Sequence, residues 1–358
     1  MKDKGRKDRG TKGWNHMADE VILLSDGGGG ERMIDLVRRE ILSRFGPADG
    51  SGELARLADA ARIESPGAAL AFTTDSYVVR PLEFPGGDIG RLAISGTVND
   101  LACLGARPVA LSLALILEEG LERALLGRML DSAAAAAREV GAAVVCGDTK
   151  VVERGSADGL FINTSGIGVI ETGRRLGAEQ IRPGDKVLVS GTLGDHGIAV
   201  MSRREGLRFE AAVQSDVAPL WTLAEAILAA SPNLRALKDP TRGGLAAALN
   251  ELAEAAAVRM RIDEAAVPVR PAVAGACEVL GLDVLNVANE GKFVVVAPAD
   301  ETDAVLAAMR RHPLGREAAV IGEVLDGTAR GPRVTLRTRI GGERVLEMPY
   351  GEDLPRIC

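Results

Sequence analysis

Between residues 174 and 183 the apolar periodicity that runs through this chain lapses into polar sequence containing glycine and proline, and a separate series of strands and helices is expected on each side. Upstream, Ile34, Val37, Ile41, Leu42 and Phe45 fall at helical spacing within residues 31–45, and Gly46-Pro47 ends that helix. Residues 69–74, 142–146 and 161–170 are short apolar runs that read as strands. Residues 89–104 and 121–140 read as helices, the second closed by Gly141 in a C-terminal capping position. Downstream, strands are expected over 186–189, 292–297 and 318–324, and helices over 195–204, 219–230, 243–256 and 301–311. Residues 334–339 and 344–348 flank Gly341-Gly342 as a hairpin. Strict strand–helix–strand alternation is missing, which favours two α+β domains over a doubly wound sheet. The expected division is a flexible extension at 1–17, domains at 18–175 and 176–348, and a tail at 349–358.

A chain of 358 residues with 46% apolar content can bury two cores, and with only 3% aromatics Ala, Val, Leu and Ile must fill them. The net charge is −7, yet the first 17 residues carry six cations against two carboxylates, leaving the remainder near −11. Such a body repels nucleic acid and takes a nucleotide only with help from a metal ion and local basic groups. No apolar run approaches the roughly 18 residues of a membrane span, and the basic start lacks the apolar core of a secretory signal. Cys103, Cys146, Cys277 and Cys358 stand far apart without Cys-x-x-Cys spacing, so a disulfide scaffold and structural zinc are poor readings and a reducing cytoplasm fits.

Cys358 ends the chain on a segment where Pro349, Gly351 and Pro355 oppose a helix. Ten extended residues reach about 33 Å, so this arm, with little to pack it, can carry a reachable thiol to a site on the body. From the tail alone, a nucleophile or carrier and an accidental terminal cysteine remain open. The other three cysteines sit in apolar surroundings that suit buried packing. Asp75, Asp100 and Asp148 fall where strands or helices meet turns. There they can converge on Mg2+ or simply cap the backbone. Glycine-rich stretches at 26–30, 85–88, 191–197 and 241–244 offer backbone N–H groups to phosphate, but none is a Walker A loop and each alone reads as a tight turn. His16 and His312 read as solvated, and His196, in Gly-Asp-His-Gly, as a structural hydrogen-bonding group.

Taken together, several segments carry a resemblance. They include Leu23-Leu-Ser-Asp-Gly-Gly-Gly-Gly, Thr74-Asp-Ser-Tyr-Val-Val, Phe84-Pro-Gly-Gly-Asp-Ile-Gly and Gly96-Thr-Val-Asn-Asp-Leu-Ala. Gly147-Asp-Thr-Lys-Val-Val, Gly191-Thr-Leu-Gly-Asp-His-Gly, Asp239-Pro-Thr-Arg-Gly-Gly-Leu, Asn289-Glu-Gly-Lys and the terminal Pro355-Arg-Ile-Cys complete the set. From about Val21 onward the chain resembles the HypE family, the carbamoyl dehydratases of nickel–iron hydrogenase maturation. That family lies within the PurM-like superfamily, which also holds aminoimidazole ribonucleotide synthetase, selenophosphate synthetase and thiamine monophosphate kinase. The Pro-Arg-Ile-Cys terminus singles out the family within the superfamily.

The resemblance implies a two-domain PurM-like fold whose N-terminal domain forms a shared β-barrel in a homodimer, with an α+β C-terminal domain beside it. It implies ATP in a cleft near the dimer interface, contacted by Gly27, Gly28, Gly29, Gly30, Asp75, Asn99, Asp100, Asp148 and Thr149. Mg2+ would be held by Asp75, Asp100 and Asp148. Lys150 and Glu290 would lie closest to the reacting tail. The family loop reads His-Gly-Ser-Gly-Gly, whereas here Asp26 and Gly28 replace the histidine and serine, which leaves backbone cradling. The implied reaction starts with a carbamoyl group placed on Cys358 by HypF. ATP-dependent dehydration turns the thiocarboxamide into a thiocyanate, whose cyanide passes to iron on HypC–HypD. The rival readings are another PurM-like synthetase acting on a free small molecule and a non-catalytic thiol carrier.

Overall fold

The computed structural model describes residues 30–36, 38, 56, 58–65, 68–206, 213–327, 333–350, 354 and 356–358. The expected extension at 1–17, the loop positions Gly27, Gly28 and Gly29, and most of the helix expected over 31–45 lie outside these residues. The N-terminal half contributes α1 (Glu31–Leu36), β1 (Ala61–Ser65), β2 (Ala68–Tyr77), the short hairpin β3 (Glu83–Phe84) and β4 (Gly87–Asp88), α2 (Ile89–Cys103), β5 (Ala106–Glu118), α3 (Arg123–Glu139), β6 (Ala143–Val152) and β7 (Leu160–Ile170). Its main sheet runs β1-β2-β7-β5-β6, with β5 and β6 parallel and the remaining pairs antiparallel. No element is expected from sequence over 106–118, yet this run is β5, an interior strand. Its mixture of Leu, Ala and Ile fits a helix as readily as a buried strand, and only its pairing with β6 and β7 decides.

Alternation along β2 sorts its side chains. Ala71, Thr73 and Tyr77 are buried, while Phe72, Thr74 and Ser76 are exposed. The buried face lies under α2, which starts where the Asp88 carboxylate accepts the N–H groups of Gly90 (2.8 Å) and Arg91 (3.0 Å). A Cβ on Gly90 would stand 1.9 Å from the Met129 carbonyl oxygen, so glycine is what allows α2 and α3 to cross this closely. The helix is buried nearly all round: Ile94 and Val98 join a core with Leu220, Leu223, Phe293 and Val295 of the C-terminal half.

Among the described residues nothing covers the opposite face of the sheet. Phe72, Ile116 and Ile167 share it through the register Phe72–Ile167–Ala110 and the alternation along β5, and each is exposed by 40% or more. On the edge strand β6, Val144, Val145 and Val151 are exposed as well. Cys146, expected as a buried packing residue, is exposed there. Its neighbours Val144 and Val145 are apolar, but the edge strand finds nothing among the described residues for them to pack against.

The C-terminal half contributes β8 (Lys186–Val189), α4 (Asp195–Arg204), α5 (Trp221–Ala230), β9 (Ala236–Lys238), α6 (Gly244–Ala255), β10 (Arg259–Asp263), α7 (Pro271–Leu280), β11 (Val294–Ala297), α8 (Thr302–Arg311), β12 (Ala319–Leu325), β13 (Val334–Arg337) and β14 (Glu343–Val345). Its sheet runs β14-β13-β10-β12-β8-β11-β9. The hairpin expected around Gly341-Gly342 is β13–β14, with Thr335 opposite Val345. The mixed, non-alternating order makes both halves α+β.

Candidate active site

Four carboxyl groups gather where β2, α2 and the end of β9 meet. Asp75 points to the covered side of β2 and accepts the Tyr77 hydroxyl at 3.0 Å. Asp100, near the end of α2, accepts the Thr73 hydroxyl at 2.7 Å. Burial first, and then the charges of Asp75, Asp239 and Asp59, push Asp100 well above the usual carboxylate range. Burial likewise raises Asp75. Asp239 follows directly on β9, and burial together with the Asp59 charge lifts it to about 7. Asp59 is ion-paired with Lys238, which also reaches Glu251 at 3.1 Å.

Glu290 faces the same cluster from the loop before β11. Burial first, and then Asp239, Asp216 and Asp75, raise it well above its ordinary value. Its Oε1 is buried without a hydrogen-bond partner. The loop is clamped: the Glu290 N–H donates to Asp216 Oδ1 at 3.1 Å, and Lys292 Nζ pairs with Asp216 Oδ2 at 3.0 Å. A Cβ on Gly291 would lie 1.8 Å from the Asp216 carbonyl oxygen, so only glycine lets the two segments touch.

These carboxyls stay raised by burial and by one another although Arg242 and Lys238 pull the other way. Together with the orphaned Glu290 oxygen, they form an all-oxygen set suited to a hard divalent cation such as Mg2+. The Cys103 thiol lies beside Asp59 and Asp239, with ligand atoms of the three within 4.8 Å. Burial pushes its pKa well up, so it stays a thiol and packs rather than ligates.

The tail is docked, contrary to the expectation of an arm with little to pack it. Leu354 and Ile357 are buried, and Cys358 is half-buried against the cluster of Tyr77, Val79, Phe84 and Ile198. The Val78 N–H donates to the Cys358 carbonyl at 3.1 Å, and the Arg80 N–H to the Arg356 carbonyl at 3.3 Å. Arg356 donates to the Val78 carbonyl, pairs with Asp158 and lies 5.8 Å over the Phe161 ring. Glycine and prolines oppose a helix here but do not prevent docking through two apolar side chains and a guanidinium. Val78 is three residues beyond Asp75, about 10 Å along an extended strand. The terminal residue therefore pairs with the chain just beyond the strand that carries Asp75.

Residues 57–170 match the N-terminal domain of the AIR synthase related protein family, and residues 182–334 its C-terminal domain. Over 342 residues the chain is 52% identical to the carbamoyl dehydratase HypE of Rhodobacter capsulatus, covering 96% of this chain and 99% of that one. The chain belongs to the HypE family. A crystal structure of a HypE–HypF complex superposes with a TM-score of 0.82 at 44% identity, covering 88% of this chain and 99% of that one. A HypE crystallised in complex with ATP gives a TM-score of 0.78 at 46% identity, covering 94% and 100%. The two-domain PurM-like fold is therefore present.

Of the site residues expected from the HypE resemblance, the chain brings Asp75, Asp100 and Glu290 together and holds Cys358 nearby. Asn99 does not face the cluster. Its amide is spent on backbone, accepting from the Leu220 N–H at 2.8 Å and donating to the Ala218 carbonyl at 3.2 Å, so it ties α2 to the C-terminal half. Gly30 is buried at the start of α1. Asp148, Thr149 and Lys150 stand on exposed β6, where Lys150 is ion-paired with Asp148. The register Asp148–Ala114–Asn163–Ser76 puts Asp148 on the open face, opposite to Asp75. Sequence reasoning missed Asp59 and Asp239. Asp239 had a visible signal, since it precedes Pro240 in a segment quoted for the family and ends a short apolar run as Asp75 does.

Proposed function

We propose that this chain carries out the HypE reaction on its own terminus, converting a carbamoyl group on the Cys358 sulfur into a thiocyanate at the expense of ATP. The observation that carries this reading is the docking of the tail three residues from Asp75. The donor is a HypF-type carbamoyltransferase, the acceptor an iron centre on HypC–HypD, and the setting the cytoplasm. The active form is a homodimer in which a second copy covers the open sheet face, and residues 18–175 form the ATP-binding and pairing domain, 176–348 its companion and 349–358 the carrier tail.

Asp75 and Asp100 would hold Mg2+, and backbone N–H groups of the glycine-rich 27–30 segment would contact phosphate. MgATP, when bound, supplies the phosphoryl group that turns the amide oxygen into a leaving group. In sum, R–S–C(=O)–NH2 and ATP give R–S–C≡N, ADP, phosphate and a proton. Cys358 keeps the carbon attached throughout. Glu290 takes an N–H proton as the C–O bond breaks; a carboxyl held high by burial is the stronger base once ionised. Asp148, Thr149 and Lys150, on the open face, serve the cleft of the second copy, where Lys150 neutralises oxygen or phosphate charge.

The test is the intact mass of the carbamoylated chain with and without MgATP. Loss of one water only with MgATP is expected, and an unchanged mass overturns the reading. Cys358→Ala should fold yet accept no carbamoyl label. Turnover of a free small molecule by that variant would instead favour a synthetase unconnected with the tail.

A further inference from the structure

His196 is fully buried in the first turn of α4, and both of its ring nitrogens are engaged. Nε2 lies 2.9 Å from the Ile357 carbonyl oxygen, and Nδ1 lies 2.8 Å from the Ser215 hydroxyl. The ring stands edge-on to Phe84, with centroids 5.3 Å apart. A carbonyl only accepts, so Nε2 must carry a hydrogen. Ser215 Oγ already accepts the Val217 N–H at 3.1 Å and is left free to donate its own hydrogen to Nδ1. Burial holds this imidazole below the ordinary histidine range, and in the neutral ring the partners then dictate the Nε2–H tautomer.

We infer that His196 is the positioning residue for the reacting tail, its Nε2–H fixing the Ile357 carbonyl one residue from Cys358 while Ser215 sets the tautomer. This rests on the reading that Cys358 carries the reacting group. Ser215 adjoins Asp216, the residue that clamps the Glu290 loop. Segment 215–217 therefore joins the anchor of the tail to the base that acts on its cargo. A one-residue lever gives the thiocarboxamide a defined approach to Glu290, which a tail held only by Arg356 at the surface would lack.

The test uses the full chain and two readouts. Amide hydrogen exchange of the segment containing Val78 and Arg80 reports docking directly, because those N–H groups donate to Cys358 and Arg356. Single-turnover dehydration of the carbamoylated chain reports positioning. His196→Asn keeps a polar group near Nδ1 but loses the donor at Nε2; exchange should rise about five- to tenfold, the scale of one hydrogen bond, and dehydration should slow at least as much. His196→Gln restores a donor at the Nε2 position and should recover most of both. Ser215→Ala, which leaves the ring in place, should shift both in the direction of His196→Asn by about two- to threefold, the lower end of that scale. Unchanged exchange in His196→Asn overturns the anchor, and faster exchange with unchanged dehydration overturns the positioning role. Should His196→Asn not fold, Ser215→Ala decides: no shift in either readout overturns the inference. A wild-type chain that never loses water sinks the dehydration reading but leaves the exchange result standing, so the two failures are distinguishable.

Discussion

Asp75 and Asp148 sit on strands of one sheet, each before a hydroxyl residue in a similar motif, yet the fold treats them oppositely. Asp75 faces α2, and burial raises its pKa. Asp148 faces outward, where the Lys150 hydrogen bond and then the Thr149 N–H lower its pKa. The motif makes both look like metal ligands. Strand parity decides which one a single chain can deliver to the cluster, because neighbouring positions on a strand belong to opposite faces. The contrast teaches how strand parity divides the motif: the inner face gathers carboxyls raised by burial and by one another, and the outer face holds a paired carboxylate beside exposed apolar side chains.

The largest effect should come from the inner face. Asp75→Asn or Asp100→Asn keeps shape and removes a ligand charge, so dehydration of the carbamoylated chain should fall about a hundredfold or more. Single-turnover mass spectrometry measures it. Activity within a few-fold of wild type would mean that the cluster is structural and the comparison has no catalytic content.

The outer face is tested by mixing. If Asp148 serves the cleft of the second copy, a heterodimer of Asp75→Asn and Asp148→Asn chains has one intact cleft. Random pairing of two inactive variants should restore about a quarter of wild-type activity. No recovery places Asp148 in its own chain's cleft, against the register. The companion test is Phe72→Asp with Ile116→Asp, exposed side chains whose replacement leaves the core alone. Sedimentation should fall from the mass of two chains to that of one, and a wild type that already sediments as one chain removes the partner from the account.

A smaller effect separates the faces by pH. A carboxyl raised in the folded state holds a proton that the unfolded chain has released, so its contribution is fully present below about pH 4 and disappears as pH rises through the folded pKa. For Asp239, lifted to about 7, the metal-free protein should lose about 2 kcal/mol between pH 5.5 and 8. Denaturant melts at the two pH values check this. Mg2+ should restore stability chiefly at pH 8, where the cluster must ionise. A flat profile means that the carboxyls are already compensated.

Much of this was legible before any coordinates. Helices such as Ile89–Cys103 and strands such as Lys186–Val189 follow from periodicity and bounding residues. The hidden parts share one cause, contacts distant in sequence. Strand β5 declares itself only through β6 and β7, and Cys146 and Asp148 change meaning once β6 proves to be an edge. Asn99 reads as a ligand beside Asp100, but one step along a helix rotates it into the domain junction. The tail was misread because composition reveals what a segment cannot form, not what it can lie against. His196 read correctly as a structural hydrogen-bonding group, though what it holds is the terminus itself.

The smallest expected effect is the sharpest test of the contrast. Asp148→Asn in an otherwise wild-type chain breaks a surface ion pair with Lys150 and a local bond to the Thr149 N–H. Exposed pairs of this kind contribute little, because water already solvates both partners and the side chains lose freedom in pairing. In the single-chain Phe72→Asp, Ile116→Asp background the melting temperature should therefore change by no more than about 1–2 °C, with the same pH profile. In contrast, Asp239→Asn removes the titrating group itself and should flatten that profile. A marked loss of stability in Asp148→Asn alone would show that the open face is packed in solution and that the ion pair is buried against something, with the homodimer as the first candidate. If the loss vanished in the Phe72→Asp, Ile116→Asp background, the second copy would be identified as the cover, and the two faces would then differ by assembly rather than by exposure.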